Sequence, residues 1–86
     1  MHFSKKNYKI KITGRAGLIY QENGKSLEVD SEMLAGPTYD IVIYRASILG
    51  WSPPDDAEFL SDSEKASILQ NIKTHFEAMK YQVDIA

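Results

Sequence analysis

Cysteine is absent from the 86 residues, which removes disulfide staples, thiolate nucleophiles and cysteine-bound zinc together and suits a reducing compartment. Histidine occurs only at His2 and His75, too few and too far apart in the chain for an imidazole metal site. No apolar run approaches the ~20 residues that a membrane-crossing helix needs. The start, "MHFSKKNYKI", lacks the apolar stretch and small-residue cleavage site of a secretory signal. A complete cytoplasmic chain with no membrane partner is therefore expected. Its length allows one domain, residues 1–86, able to bury roughly 60% of its unfolded surface. Such a core must hold by packing alone.

Positive charge is scarce where negative charge is dense. The net charge is −2, but residues 1–30 carry six bases against three acids, whereas residues 31–64 carry one base, Arg45, against seven acids. The cluster Lys5, Lys6, Lys9 and Lys11 is short and sits on an acidic protein. A nucleic-acid binder needs a basic footprint wide enough to neutralise several phosphates, so no nucleic-acid partner is expected.

What is present reads as strands first and a helix late. "YKIKIT" alternates Tyr8, Ile10 and Ile12 with Lys9 and Lys11, the period of a strand with one buried and one wet face. In "GLIYQENGKSLEVD" two strand-like runs meet at Asn23-Gly24, a pair that tolerates the positive φ of a type I′ hairpin turn, and Leu27 and Val29 should share a face with residues across from them. "SEMLAGP" reads as a connector punctuated by Gly36-Pro37. "TYDIVIY" is apolar on both faces, with Tyr39, Ile41 and Ile43 on one and Val42 and Tyr44 on the other, so it belongs in the middle of a sheet.

Ser61 and Glu64 have the S-x-x-E spacing of a capping box. Beyond it, Ile68, Leu69, Ile72, Phe76 and Met79 form one stripe at the helical period. "YQVDIA" then alternates Tyr81, Val83 and Ile85 as a last strand. The expected fold is α+β: an antiparallel sheet of four to six strands, one amphipathic helix over about residues 62–80 packed on one face, and a C-terminal strand.

No constellation carries enzymatic chemistry or implies a cofactor. "GRAG" at residues 14–17 leads into a strand, so it lacks the helix N-terminus of a phosphate loop and reads as a turn. Arg15 in that turn could pair with a carboxylate. Asp55, Asp56 and Glu58 lack the ligand spacing and glycine of a calcium loop, which leaves no metal site. Neither Ser47 nor Ser52 has a base near it in sequence, and no second acid is placed to form a catalytic carboxylate pair. The chain is therefore not expected to be an enzyme.

The order "GRAGLIYQENGKSLEVDSEMLAGP", then "IVIY" with "SILGW" and "PP", then "LSDSEKASILQNI" and a short terminal strand, resembles a family of small bacterial immunity proteins from polymorphic toxin systems. The likeness runs from Gly14 onward. It implies a protein encoded beside a secreted toxin, which neutralises that toxin in the producing cell by tight one-to-one binding. The cognate toxin is then the expected partner, and no residue roles transfer by position.

The interface follows from physics instead. A carboxylate patch steers a basic toxin and occupies the place of the phosphates it handles. Asp55, Asp56 and Glu58 supply that charge within the acidic stretch 51–64, and Trp51 and Phe59 supply the aromatic anchors that interfaces favour. These five are the candidate toxin-binding residues. Against them stand plain readings, a solvated loop for the carboxylates and a core position for the lone tryptophan. A rival reading of the whole chain is a scaffold module that self-associates through Tyr8, Tyr20, Tyr39 or Tyr44.

Overall fold

The computed structural model describes residues 8–14, 16–34 and 40–86. Its first sheet is built by the alternation already visible in the chain. Strands β1 (Tyr8–Gly14), β2 (Gly17–Glu22) and β3 (Lys25–Val29) form an antiparallel meander in the order β1-β2-β3. The β2–β3 hairpin turns at Asn23 and Gly24, whose φ values of 54° and 79° place both in the left-handed region that a type I′ turn requires. Tyr20 then faces Leu27 and Leu18 faces Val29, and all four are buried. Lys9 and Lys11 are exposed on β1, as expected; β1 meets β2 with Gly14 opposite Gly17 and Ala16 in a turn. Arg15 and its suggested ion pair lie outside the described residues, as do His2, Lys5, Lys6, Gly36, Pro37 and Tyr39.

Residues 31–33 are not connector but strand β4 (Ser31–Met33). The alternation that buries Leu27 and Val29 continues to bury Ser31 and to expose Glu28, Asp30 and Glu32. The chain bends at Asp30, a poor strand residue, where the backbone N–H donates to Ser47 Oγ at 2.8 Å and the C=O accepts from the Tyr44 N–H at 3.0 Å. A 3-10 turn at Arg45–Ser47 supplies this bracket.

That bend divides the strands between two sheets. The second has the order β4-β5-β6, with β5 (Ile41–Ile43) in the middle, as its two-sided apolar pattern implies, and β6 (Val83–Ile85) parallel to it. The α+β class and the C-terminal strand hold. The six strands do not form one antiparallel sheet, because β4 leaves the first sheet at Asp30 and β6 returns alongside β5 after the helix.

Helix α1 (Asp62–Ala78) starts where the capping box places it: the Glu64 N–H donates to Ser61 Oγ, and the Ser61 N–H donates to Glu64 Oε1 at 2.9 Å. Ile68, Ile72 and Phe76 are buried and Leu69 is half-buried, but Met79 falls past the helix end and is exposed. The end is a Schellman motif. The Tyr81 N–H donates to the Phe76 C=O, the Lys80 N–H donates to the Glu77 C=O, and the Tyr81 ring stacks on Phe76 at 5.8 Å. Lys80 carries the left-handed φ of 71° that this motif needs.

Apolar side chains from both sheets, the helix and the segment before it meet in one cluster that includes Leu18, Tyr20, Ile43, Trp51, Leu60 and Phe76. Phe76→Ala should cost about 3–5 kcal/mol, read as a large drop in the urea midpoint. Lys80→Gly should raise stability by about 0.5–1 kcal/mol, because glycine adopts φ of 71° without a Cβ clash.

Candidate functional site

The stretch between β5 and α1 is pinned at its ends and exposed in its middle. Ile48, Trp51 and Leu60 are all buried in the core cluster, Trp51 being 7% exposed. The Ser52 N–H donates to the Ser26 C=O at 2.7 Å, which ties the segment to the outer edge of β3. Two tight turns follow, closed by the Asp55 N–H on the Ser52 C=O and by the Glu58 N–H on the Asp55 C=O, each at 3.0 Å. They carry Asp56, Glu58 and Phe59 outward, while Asp55 is half-buried. Phe59 is 83% exposed. The chain then reaches the Ser61 cap, with Asp62 and Glu64 in the first helical turn, where the positive helix end favours them.

Beneath this segment lies the tip of the β2–β3 hairpin. Lys25 Nζ lies 2.7 Å from Glu58 Oε1 and 5.1 Å from the centre of the Trp51 ring. The hydrogen bond to Glu58 raises the Lys25 pKa above its ordinary value, with further support from the charges of Glu58, Asp55 and Glu64. Glu22, Lys25, Trp51, Ser63 and Glu64 line an open cleft of about 300 Å³ between hairpin and helix.

Tyr20 crosses behind it, donating its O–H to Glu22 and accepting from Asn71 Nδ2 at 2.8 Å, so one phenol joins sheet and helix. Burial, and then the hydrogen bond to Glu22, push its pKa well above the ordinary tyrosine value.

The five residues singled out in the sequence therefore occupy two depths. Asp56, Glu58 and Phe59 are exposed and Asp55 is half-buried, whereas Trp51 is a core residue that also lines the cleft. Sequence reasoning missed Leu49, which is 81% exposed beside buried Ile48, and Lys25, which is 33 positions from Glu58. Nothing in "SILGW" marks which leucine or isoleucine turns out, and no local pattern joins a hairpin lysine to a distant carboxylate.

The tyrosine set is not one open face. Tyr20 is fully buried, Tyr8 is half-buried and stacked on it at 5.7 Å, and Tyr44 donates its O–H to Glu32 at 3.0 Å at the far sheet. Among the described residues no three His, Asp or Glu side chains converge as metal ligands, and no helix is long and apolar enough to cross a membrane.

A family model described as Immunity protein 74 matches residues 9–86. The chain belongs to that family. The match starts within β1 and takes in Lys25, Trp51, the acidic turns and α1, so it covers more than the stretch from Gly14 on which the resemblance was drawn. No curated protein and no solved structure matches the chain. Membership makes toxin neutralisation the general function, and immunity proteins of this kind are in general non-catalytic.

Tyr20 provides a test of the geometry behind the cleft. A phenol whose pKa is higher in the folded than in the unfolded chain contributes stability that is complete below the unfolded value near 10 and is lost as pH rises through the folded value. Unfolding free energy from urea titrations should fall as pH rises above about 10. Tyr20→Phe should flatten that fall, with a residual slope from Tyr44 and Lys25, whose pKa values are also raised.

Proposed function

We propose that this immunity protein neutralises one cognate toxin by stoichiometric binding in the cytoplasm of the producing cell, and that the acidic turns at residues 55–59 are its contact surface. The observation that carries the reading is the contrast between anchored ends and an exposed middle. A loop with Trp51 and Leu60 in the core has its path set before a partner arrives, so association loses less conformational freedom than it would with a floppy segment.

The charge on that path favours a basic partner. Asp55, Asp56 and Glu58 fall within four consecutive residues of the turns, followed by Asp62 and Glu64 at the helix start. A field of one sign steers a basic surface and raises the association rate without adding contact area. Phe59 supplies the apolar anchor, an aromatic ring left 83% exposed on a loop where a partner can bury it. Trp51 stands behind the patch, joins it to the core and lines the cleft beside it.

Binding of this kind requires no bond-making step, only exclusion of the toxin's own substrate. A toxin that handles nucleic acid would present the basic surface the patch fits, with carboxylates in the positions of phosphates. The probe is the toxin domain encoded beside this chain's gene, in an inactivated form.

Two variants separate charge from anchor. Reversing Asp55, Asp56 and Glu58 to lysine should weaken binding by roughly a hundredfold or more, chiefly through a slower, less salt-dependent association. Phe59→Ala should cost about 2 kcal/mol of binding, chiefly through faster dissociation, and leave the urea midpoint unchanged. Undiminished affinity in both variants, with folding retained, would move the interface elsewhere.

A further inference from the structure

Lys25 is an odd neighbour for a surface that attracts cations. It places a positive charge against Glu58, within the influence of Asp55 and Glu64, and so lowers the field that would steer a basic toxin. Its geometry indicates what it supplies in return. Lys25 and Ser26 are consecutive residues at the start of β3. The Ser26 C=O holds Ser52 at one end of the acidic turns, and the Lys25 ammonium holds Glu58 at the other. Between those two points the described backbone hydrogen bonds are local, Asp55 to Ser52 and Glu58 to Asp55, and neither reaches the rest of the fold. Lys25 Nζ also sits over the Trp51 ring, so the same group touches the buried anchor and the exposed carboxylate.

We infer that Lys25 is a positioning residue for toxin binding: from the tip of the β2–β3 hairpin it clamps the acidic turns onto Trp51 and holds Glu58 and Phe59 in the conformation that the toxin meets. The inference rests on the reading that residues 55–59 contact the toxin. With the clamp in place the turns are a single surface. Without it, Asp55, Glu58 and Glu64 lose the shared cation between them, and the turns sample conformations of which only a fraction can dock.

Steering and positioning make opposite forecasts for Lys25→Met, which keeps most of the apolar stem and removes the charge. A pure steering account has the more negative variant associate faster. Positioning has it associate more slowly, since the competent fraction of the free protein falls.

The test has two arms. In the free protein, amide exchange of Asp55 and Glu58 should quicken by about three- to tenfold in Lys25→Met and in Glu58→Gln, and the double variant should be no faster than either single one, because both remove the same contact. In stopped-flow mixing with the inactivated toxin domain encoded beside the gene, Lys25→Met should lower kon at low salt, by the fall in the closed fraction of the free protein, and leave koff nearly unchanged. Lys25→Arg should restore both readouts, since a guanidinium can serve the same carboxylate and ring.

Unchanged exchange in Lys25→Met overturns the inference on the free protein alone. Faster exchange with an equal or higher kon overturns it too, while leaving the contact surface in place. Failure of the contact surface itself is read separately, from undiminished toxin affinity after reversal of Asp55, Asp56 and Glu58.

Discussion

Ile68, Ile72 and Phe76 enter from the helix, Leu18, Tyr20, Leu27 and Val29 from the first sheet, and Ile41 and Ile43 from the second, and all close on one apolar cluster. Neither sheet could stand without it. Three of the strands are three residues long, and small isolated sheets have little stability in water unless a face is covered. With no cysteine in the chain, burial must do what covalent links do in other small domains. Trp51 and Leu60 enter the same cluster, so the surface that carries the acidic turns is fixed by the interaction that fixes the fold.

The bend at Asp30 has a comparable reach. It carries one continuous alternating run, residues 27–33, out of the first sheet and into the second. Tyr44 and the 3-10 turn at Arg45–Ser47 close over it through main-chain and Ser47 hydrogen bonds. The chain leaving that turn is thereby aimed along the β3 edge, which is where Ser52 meets Ser26 and where Lys25 waits for Glu58. Fold and candidate surface are linked through a single short path. The acidic turns repel one another, and the path offers one partly covered lysine to offset that repulsion, its side chain 24% exposed against 53% for Glu58.

Local patterns were the legible part of this chain. The Asn23-Gly24 turn, the Leu27 and Val29 face, the capping box at Ser61 and Glu64, and the buried helix stripe all rest on spacings of two to four residues, and the structure reproduces each. The division into two sheets was harder to see, because a strand that changes sheets keeps its period. Residues 27–33 alternate without a break, and the Gly36-Pro37 punctuation drew the boundary too early. Met79 matched the helical spacing but not the helix length, which the Schellman motif at Lys80 and Tyr81 ends first. For the candidate site, the exposure of Asp56 and Glu58 was readable from the crowding of carboxylates beside prolines, whereas that of Phe59 was not. The depth of Trp51 and the contact of Lys25 with Glu58 were not, since both join segments distant in sequence. The resemblance drawn from Gly14 onward agrees with the family match over residues 9–86.

The central claim is that an immunity protein with a pre-shaped acidic turn meets a basic toxin through that turn. Amide exchange of the free chain against its complex with the inactivated toxin domain encoded beside it tests this most directly. The account expects strong protection across residues 52–60 and at the hairpin tip around Lys25, with β1 and the β4-β5-β6 sheet little changed. Protection confined to β1 or to the second sheet, with residues 52–60 exchanging as in the free chain, would contradict it.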